Sequence, residues 1–257
     1  MVNKWIKRLY TLLIFTFLYA PIVVLIVFSF NDSKSTAKWE GFTLDWYRSL
    51  FQNRYIMKSL YYTVLVAVVS SISATLIGTF AAFGIFYMRT WKQKLVLNIN
   101  SIPLLNPDIV TGVSLMTLFV AMKMELGLMT MIIAHITFSV PYVVLSVLPK
   151  FKQMPGEMLE AAMDLGATPW YAFKNVILPE IKPGIITGGL IAFTLSIDDF
   201  VISFFTTGSG VSNLSIAIYS MARRGIKPEI NALSTLMFAS VLILLLIINK
   251  RTKIEDI

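Results

Sequence analysis

The chain has 257 residues, 56% of them hydrophobic and only 14% charged, with a formal net charge of +8 and a mean hydropathy of +0.74. A soluble domain carries close to a quarter charged residues, so this composition describes a membrane protein. The absence of cysteine excludes disulfides, thiolate nucleophiles and cysteine-ligated metals, and a single histidine, His135, argues against an imidazole metal site. The basic excess does not point to nucleic acid. It lies in short groups beside apolar runs, which reads as topology signal and contact with anionic headgroups.

Lys4, Lys7 and Arg8 precede an uncharged run from Tyr10 to Phe30. That run is too long for a typical signal core and has no small-x-small cleavage site, so an uncleaved first span is expected. Residues 31–59 then mix charges with Trp39, Phe42, Trp46, Tyr47, Leu50 and Phe51. Phe42, Trp46 and Leu50 are four apart, which predicts one helical face lying in the outer interface, as an aromatic belt or as a docking surface. Leu60 to Met88 is again uncharged, and about 20 apolar residues suffice to cross a bilayer.

Six spans are predicted in all, at 10–30, 60–88, 101–122, 128–148, 185–206 and 232–249, forming one all-α domain over residues 1–257. No repeat of 20–50 residues is visible. An even number places both termini on one side. Thirteen of the 22 lysines and arginines fall on that side, which favours a cytoplasmic N-terminus.

Pro103 and Pro107 interrupt the third span. Asn106, Pro107 and Asp108 read as N-cap, N1 and N2 of a restarted helix, where an acid complements the helix dipole. A helix broken at membrane depth also suits the wall of a wet cavity, so Asp108 is a candidate for the substrate route as well as a cap. His135, with Glu125 and Thr137 nearby, reads as a hydrogen-bonded histidine between helices ahead of the alternative of a substrate or proton site.

The loop 149–184 is far longer than a connector needs to be. Pro155-Gly156 is a turn, and Glu157–Leu165 reads as a short helix ended by Gly166 in the left-handed position. Thr168 is the expected N-cap and Pro169 the first residue of a second helix, which Pro179 is expected to stop at about Leu178. Ala161 and Ala162 thin one side of the first helix enough for another backbone to approach.

In "FTLSIDDFVISFF", Phe193 to Phe205, two adjacent aspartates interrupt an apolar run. A carboxylate at a helix centre costs about 2.5–3.5 kcal/mol on insertion scales and usually faces a bundle interior or wet cavity. On a continuous helix Asp198 and Asp199 point about 100° apart. Ser196, Ser203 and Thr206 share the Asp199 side, whereas Thr194, Val201, Ile202 and Phe205 share the Asp198 side. Asp199, with Ser196 and Ser203, is therefore expected on a water-filled route, and Asp198 against a neighbouring helix or subunit. The alternative has both aspartates fixing helix packing through hydrogen bonds. Arg223, Arg224, Lys227 and Glu229 follow Leu214–Met221; docking of an external partner and simple flanking of the Pro228 helix both stand. No GxxxxGK[ST] sequence occurs, so the chain has no phosphate-binding loop for ATP, no cofactor is expected, and the chain is not an enzyme by itself.

The segment "EAAMDLGATPWYAFKNVILP" resembles the EAA signature of ABC-importer permeases, with Glu160, Ala161, Ala162, Gly166, Leu178 and Pro179 matching and Val176 standing where isoleucine is usual. "YAPIVVLIVFSFND", "GFTLDWY", "NPDIVTGVSL", "AHITFSVPYVV", "FTLSIDDFVISFF" and "KPEINALSTL" together resemble the spermidine/putrescine permeases of that class. The resemblance implies a type I importer permease fold in the bacterial cytoplasmic membrane, with both termini inside. It implies that loop 149–184 is a coupling helix seated in an ATPase subunit that binds ATP. It also implies a second homologous permease and an extracytoplasmic polyamine-binding protein as partners. Asp108, Asp198 and Asp199 suit a polyammonium cargo; an anion would want intramembrane Arg or Lys, and the predicted spans carry none away from their ends. Ferric ion is the rival cargo. A stand-alone channel or secondary transporter would leave the loop unexplained, and no inverted repeat is seen.

Overall fold

The computed structural model describes residues 4–33, 38–223 and 228–255. In chain order the helices are α1 (Lys4–Phe28), α2 (Asp45–Gln52), α3 (Arg54–Phe86), α4 (Thr90–Leu105), α5 (Asp108–Ala121), α6 (Leu128–Gln153), α7 (Met158–Asp164) and α8 (Pro169–Ala172). A π-helical turn (Phe173–Ile177) leads into α9 (Leu178–Asp198), followed by α10 (Val201–Thr206), α11 (Leu214–Arg223) and α12 (Pro228–Glu255). Among the described residues the sole β pairing is one isolated antiparallel bridge, Asn31 to Phe42.

Among the described residues four helical stretches are long and apolar enough to cross a membrane: α1, α3, α6 and the continuous run Pro169–Asp198. Helices α4 and α5 make a fifth if counted as one span bent by 105°. The predicted sixth span lies within α12, whose described apolar part, Pro228–Ile243, is shorter than a crossing. Six spans are thus not reached among the described residues.

The chain divides into two compact units, residues 1–58 with 217–244 and residues 59–216 with 245–257. In the first, no residue of α1 is fully buried within the chain. Its C-terminal end runs into a small polar fold around the buried Asn31. The Asn31 amide donates to Lys38 O (2.7 Å), and its Oδ1 accepts from the Glu40 N–H (2.9 Å). Trp46 Nε1 donates to Asn31 O (2.8 Å), and the Phe30 ring lies against Phe42 and Tyr47. Phe42 is therefore not on the α2 face with Trp46 and Leu50. The helix starts only at Asp45, because residues 30–32 and 41–43 pair as a short ribbon, with Thr43 N–H bonded to Phe30 O and Asp32 N–H to Gly41 O. Leu50 is buried while Phe42 is 70% exposed.

In the second unit α6 is the central helix, and α9 packs most extensively against it. The contact is backbone to backbone. A Cβ added at Gly184 would lie 2.8 Å from Ser146 O and 3.1 Å from Val147 Cα, and one at Gly188 would lie 3.1 Å from Val143 Cα. Small residues four apart are how helices approach closely when lipid removes the hydrophobic drive to associate. Around this seam Val143, Val144, Val147 and Phe151 are buried with Ala74, Ala82, Ile85, Ile177, Ile181 and Ala192. A smaller cluster of Phe119, Ala134, Phe138 and Ile202 joins α5, α6 and α10.

Three expected boundaries move. Pro179 does not stop its helix; it is the second residue of α9. Proline needs room at the carbonyl four residues back and offers no N–H, and the π turn just before it widens the helix, with Leu178 N–H bonded to Phe173 O. The span expected at 185–206 is broken at Asp199 and Phe200. Finally, α5 is capped by Pro107, not Asn106, so Asp108 is its first residue; Pro107 O accepts from Val110 N–H (2.9 Å) and Thr111 N–H (3.3 Å).

Candidate functional site

The break between α9 and α10 frees main-chain groups at membrane depth, and each needs a partner. Asp199 is extended (φ −61°, ψ 125°), and its own carboxylate caps α10. One oxygen accepts from Ile202 N–H (3.3 Å) and the other from Ser203 N–H (2.7 Å). The Asp198 carbonyl accepts from Ser215 Oγ (3.1 Å), and the Asp199 carbonyl from Asn213 Nδ2 (3.0 Å).

His135, on α6 and 2% exposed, spans this break. Its Nδ1 lies 2.7 Å from Ser196 Oγ on α9, and its Nε2 lies 2.9 Å from Ser203 Oγ on α10. Nε2 is also 3.6 Å from an Asp199 carboxylate oxygen. A hydroxyl gives or takes a proton equally well, so both tautomers of the neutral ring are accommodated. Asn213 Nδ2 donates to Ser203 Oγ (2.8 Å), and Ser70 Oγ lies 3.1 Å from Ser196 Oγ. The expectation of a hydrogen-bonded histidine between helices agrees with this geometry, its partners being Ser196 on α9 and Ser203 on α10.

The two aspartates stand in different surroundings. Asp199 turns inward, its side chain 9% exposed, and Ser196 and Ser203 are buried with it; Asp198 is exposed. The reason is the break itself, since the 100° relation holds only on a continuous helix. Asp108 is also exposed. One turn further along α5, Gly112 packs on the start of α10, where a Cβ would lie 3.5 Å from Val201 O and 3.6 Å from Ile202 Cα.

The residues of the 149–184 loop form a separate place. Helix α7 ends in a Schellman motif: Gly166, at φ +91°, bonds through its N–H to Met163 O, and Ala167 N–H bonds to Ala162 O. Thr168 then caps α8 by accepting from Tyr171 N–H, with Pro169 first in the helix. Met158 and Leu159 face the core. Glu160, Ala161, Met163 and Asp164 face out, Ala162 and Leu178 are half-buried, and Leu165 is 91% exposed at the tip. Beneath the knob lies a cluster of rings that sequence reasoning missed. Phe83 and Phe86 at the end of α3 meet Phe151 at the end of α6, and Phe83 meets Phe173 of the π turn. The spacing of Phe80, Phe83 and Phe86 was the available signal. Tyr87, just past α3, lies near the knob, and burial followed by the charge of Glu160 pushes its phenol above the ordinary value. Asn213, Ser70 and Ser215 carried no signal of their own. No group of three metal-ligating side chains occurs among the described residues. Arg224 and Lys227 lie outside the described residues; the Arg223 guanidinium sits over the Tyr219 ring at 5.9 Å, and Glu229 is in the first turn of α12.

Broken apolar spans around a buried polar junction, with a capped knob projecting from the bundle, define the membrane subunit of a transporter. The chain belongs to the family described as binding-protein-dependent transport system inner membrane component, which matches residues 74–250. It is 36% identical over 246 residues to the spermidine/putrescine transport system permease protein PotC of Escherichia coli K12, covering 96% of this chain and 93% of that protein. It is 39% identical over 241 residues to the putrescine transport system permease protein PotI of the same organism, covering 90% and 84%. The fold matches a chain in the crystal structure of a bacterial ABC transporter that imports the acidic polysaccharide alginate, with a TM-score of 0.73 at 17% identity over 97% of this chain and 94% of that one. A chain of the inward-facing MetNI methionine ABC transporter matches with a TM-score of 0.62 at 19% identity, over 78% and 98%. The chain is accordingly a multi-pass inner-membrane component of a transport system, not a catalyst in its own right.

Proposed function

We propose that this chain is one permease of an ATP-driven importer that carries spermidine, putrescine or both into the cytoplasm. The observation that carries this reading is the nearly full-length likeness to PotC and PotI. Two cytoplasmic ATPase subunits drive the cycle, a second homologous permease completes the route, and an extracytoplasmic binding protein delivers the polyamine. Both termini are cytoplasmic, in keeping with the bias of lysine and arginine. Helix α7 is the coupling helix, and its exposed face, Glu160 and Ala161 with Leu165 at the tip, seats in the ATPase. Gly166 shapes the turn, while Leu178 and Pro179 join the knob to α9. Asp108 and Asp198 line the cargo route, where carboxylates replace the water lost by ammonium groups. Ser196, Ser203 and Asp199 support that wall from behind.

Radiolabelled spermidine and putrescine uptake tests this in cells lacking their own polyamine importers, given this chain with its neighbouring transporter genes. Uptake of at least one polyamine is expected; uptake of neither would overturn the cargo. Glu160→Gln should lower uptake with the complex still assembled, and full uptake would reduce Glu160 to a first-turn acid. Asp108→Asn keeps a side chain suited to a first helical turn but removes the charge. Reduced uptake is expected, and normal uptake would leave Asp108 with the dipole role alone.

A further inference from the structure

We infer that His135, together with Ser203, is the positioning device that holds Asp198 out of the bundle and into the cargo route; this rests on the reading that Asp198 lines that route. The inference starts from the break. Where a spanning helix is interrupted, the residues at the gap have no helical ladder to fix their direction, and something else must do so. At this gap the fixing contacts come from elsewhere in the chain. His135 reaches α9 through Ser196 and α10 through Ser203, with ring-to-hydroxyl distances of 2.7 and 2.9 Å. One rigid imidazole therefore ties the end of α9, whose last residue is Asp198, to the start of α10 across the gap at Asp199 and Phe200.

The remaining contacts divide the two aspartates into different roles. Both carboxylate oxygens of Asp199 are engaged by the N–H groups of Ile202 and Ser203, so its charge is used to start α10. For Asp198 the main-chain oxygen is held by Ser215 Oγ while the residue is exposed. Asn213 ties the same parts together, donating to Asp199 O and to Ser203 Oγ. Its Oδ1 in turn accepts from Ile216 N–H (2.9 Å), which anchors the asparagine to the first turn of α11. Ser203 is fully buried and Ser196 3% exposed, so these bonds are shielded from competition with water. His135 thus touches no cargo. It acts through Asp198 by fixing the gap.

The absence of cysteine from the sequence allows a direct test. In the assembled transporter, Asp198→Cys gives this chain a single thiol, and Glu125→Cys, exposed in the loop between α5 and α6, gives a reference thiol elsewhere. Each is labelled with a water-soluble cationic methanethiosulfonate and read by mass on this chain, with and without spermidine or putrescine. Labelling at position 198 that polyamine slows is expected, and labelling that no polyamine affects would overturn the placement of Asp198 on the route. His135→Gln and, separately, Ser203→Ala are then added to each background. The rate at 198 should change by about fivefold, as loss of one buried hydrogen bond allows, while the rate at 125 stays the same. An unchanged rate at 198 in both variants, with polyamine protection intact, would overturn the positioning role alone. Equal changes at 198 and 125 would also overturn it, because they would mark a general loosening of the fold. Ser203→Ala removes only one hydroxyl, so the test does not depend on His135→Gln assembling.

Discussion

Cells carrying Gly184→Val should hold little folded permease and take up less than about a tenth of the wild-type amount of polyamine, because overpacking at a main-chain contact removes most of a marginal stability. The contact is severe because of what lies opposite. A Cβ at 184 would sit 2.8 Å from Ser146 O and 3.1 Å from Val147 Cα, both main-chain atoms of α6 that no rotamer change can move. Valine adds two methyl groups to that Cβ. The helices must then separate along the seam that also seats Gly188 against Val143, so the most extensive helix pairing of the unit is lost. Overpacking in a filled interior typically costs about 1–3 kcal/mol, and a clash against backbone belongs at or above the upper end. Gly84 offers the contrast, since nothing lies within 4 Å of a Cβ built there, and Gly84→Ala should be tolerated. Membrane abundance of the chain and thermal unfolding of the detergent-solubilised complex check both. Normal abundance of Gly184→Val would mean that α6 and α9 do not meet through this face.

Phe151→Ala should abolish uptake by a different route, one that leaves the spans in place. Phe151 is fully buried at the end of α6, its ring 5.5 Å from that of Phe86 and 5.8 Å from that of Phe83. Phe83 in turn meets Phe173, 5.3 Å away, in the π turn that joins the knob to α9. Through these rings the α7 knob rests on the ends of α3 and α6. Removing a buried phenylalanine costs about 3–5 kcal/mol, mostly as an unfilled cavity, and here the cavity opens directly beneath the proposed coupling helix. The expected result is an assembled complex whose ATP hydrolysis no longer rises when cargo-loaded binding protein is added. Phe151→Leu, which fills most of the space, should recover much of the response. Wild-type stimulation in Phe151→Ala would show that force reaches the spans by another path.

The local signals were legible because their causes lie within a few residues. Gly166 in a left-handed turn, Thr168 as a cap, Pro169 at a helix start and the Pro107 interruption each depend on sterics or hydrogen bonds along a short stretch, and each is found as read or within one position. Hydropathy likewise disclosed most of the spans, since bilayer thickness sets their length. Pro179 was misread because a π turn upstream gave its ring room, and such a turn leaves no clear mark in composition. The Phe42, Trp46 and Leu50 stripe was misread because spacing alone does not say where a helix begins.

By itself the sequence determined the membrane class, the capped knob and the presence of acids within apolar runs, together with the family those patterns resemble. Which acid turns inward was decided only by the tertiary structure. The contacts responsible join residues far apart in the chain, His135 to Ser203 across 68 positions and Ser70 to Ser196 across 126. A broken helix has no fixed relation between the residues on its two sides. The direction of Asp198 and Asp199 therefore follows from hydrogen bonds supplied by α6 and the start of α11, and no periodicity within the segment itself encodes it.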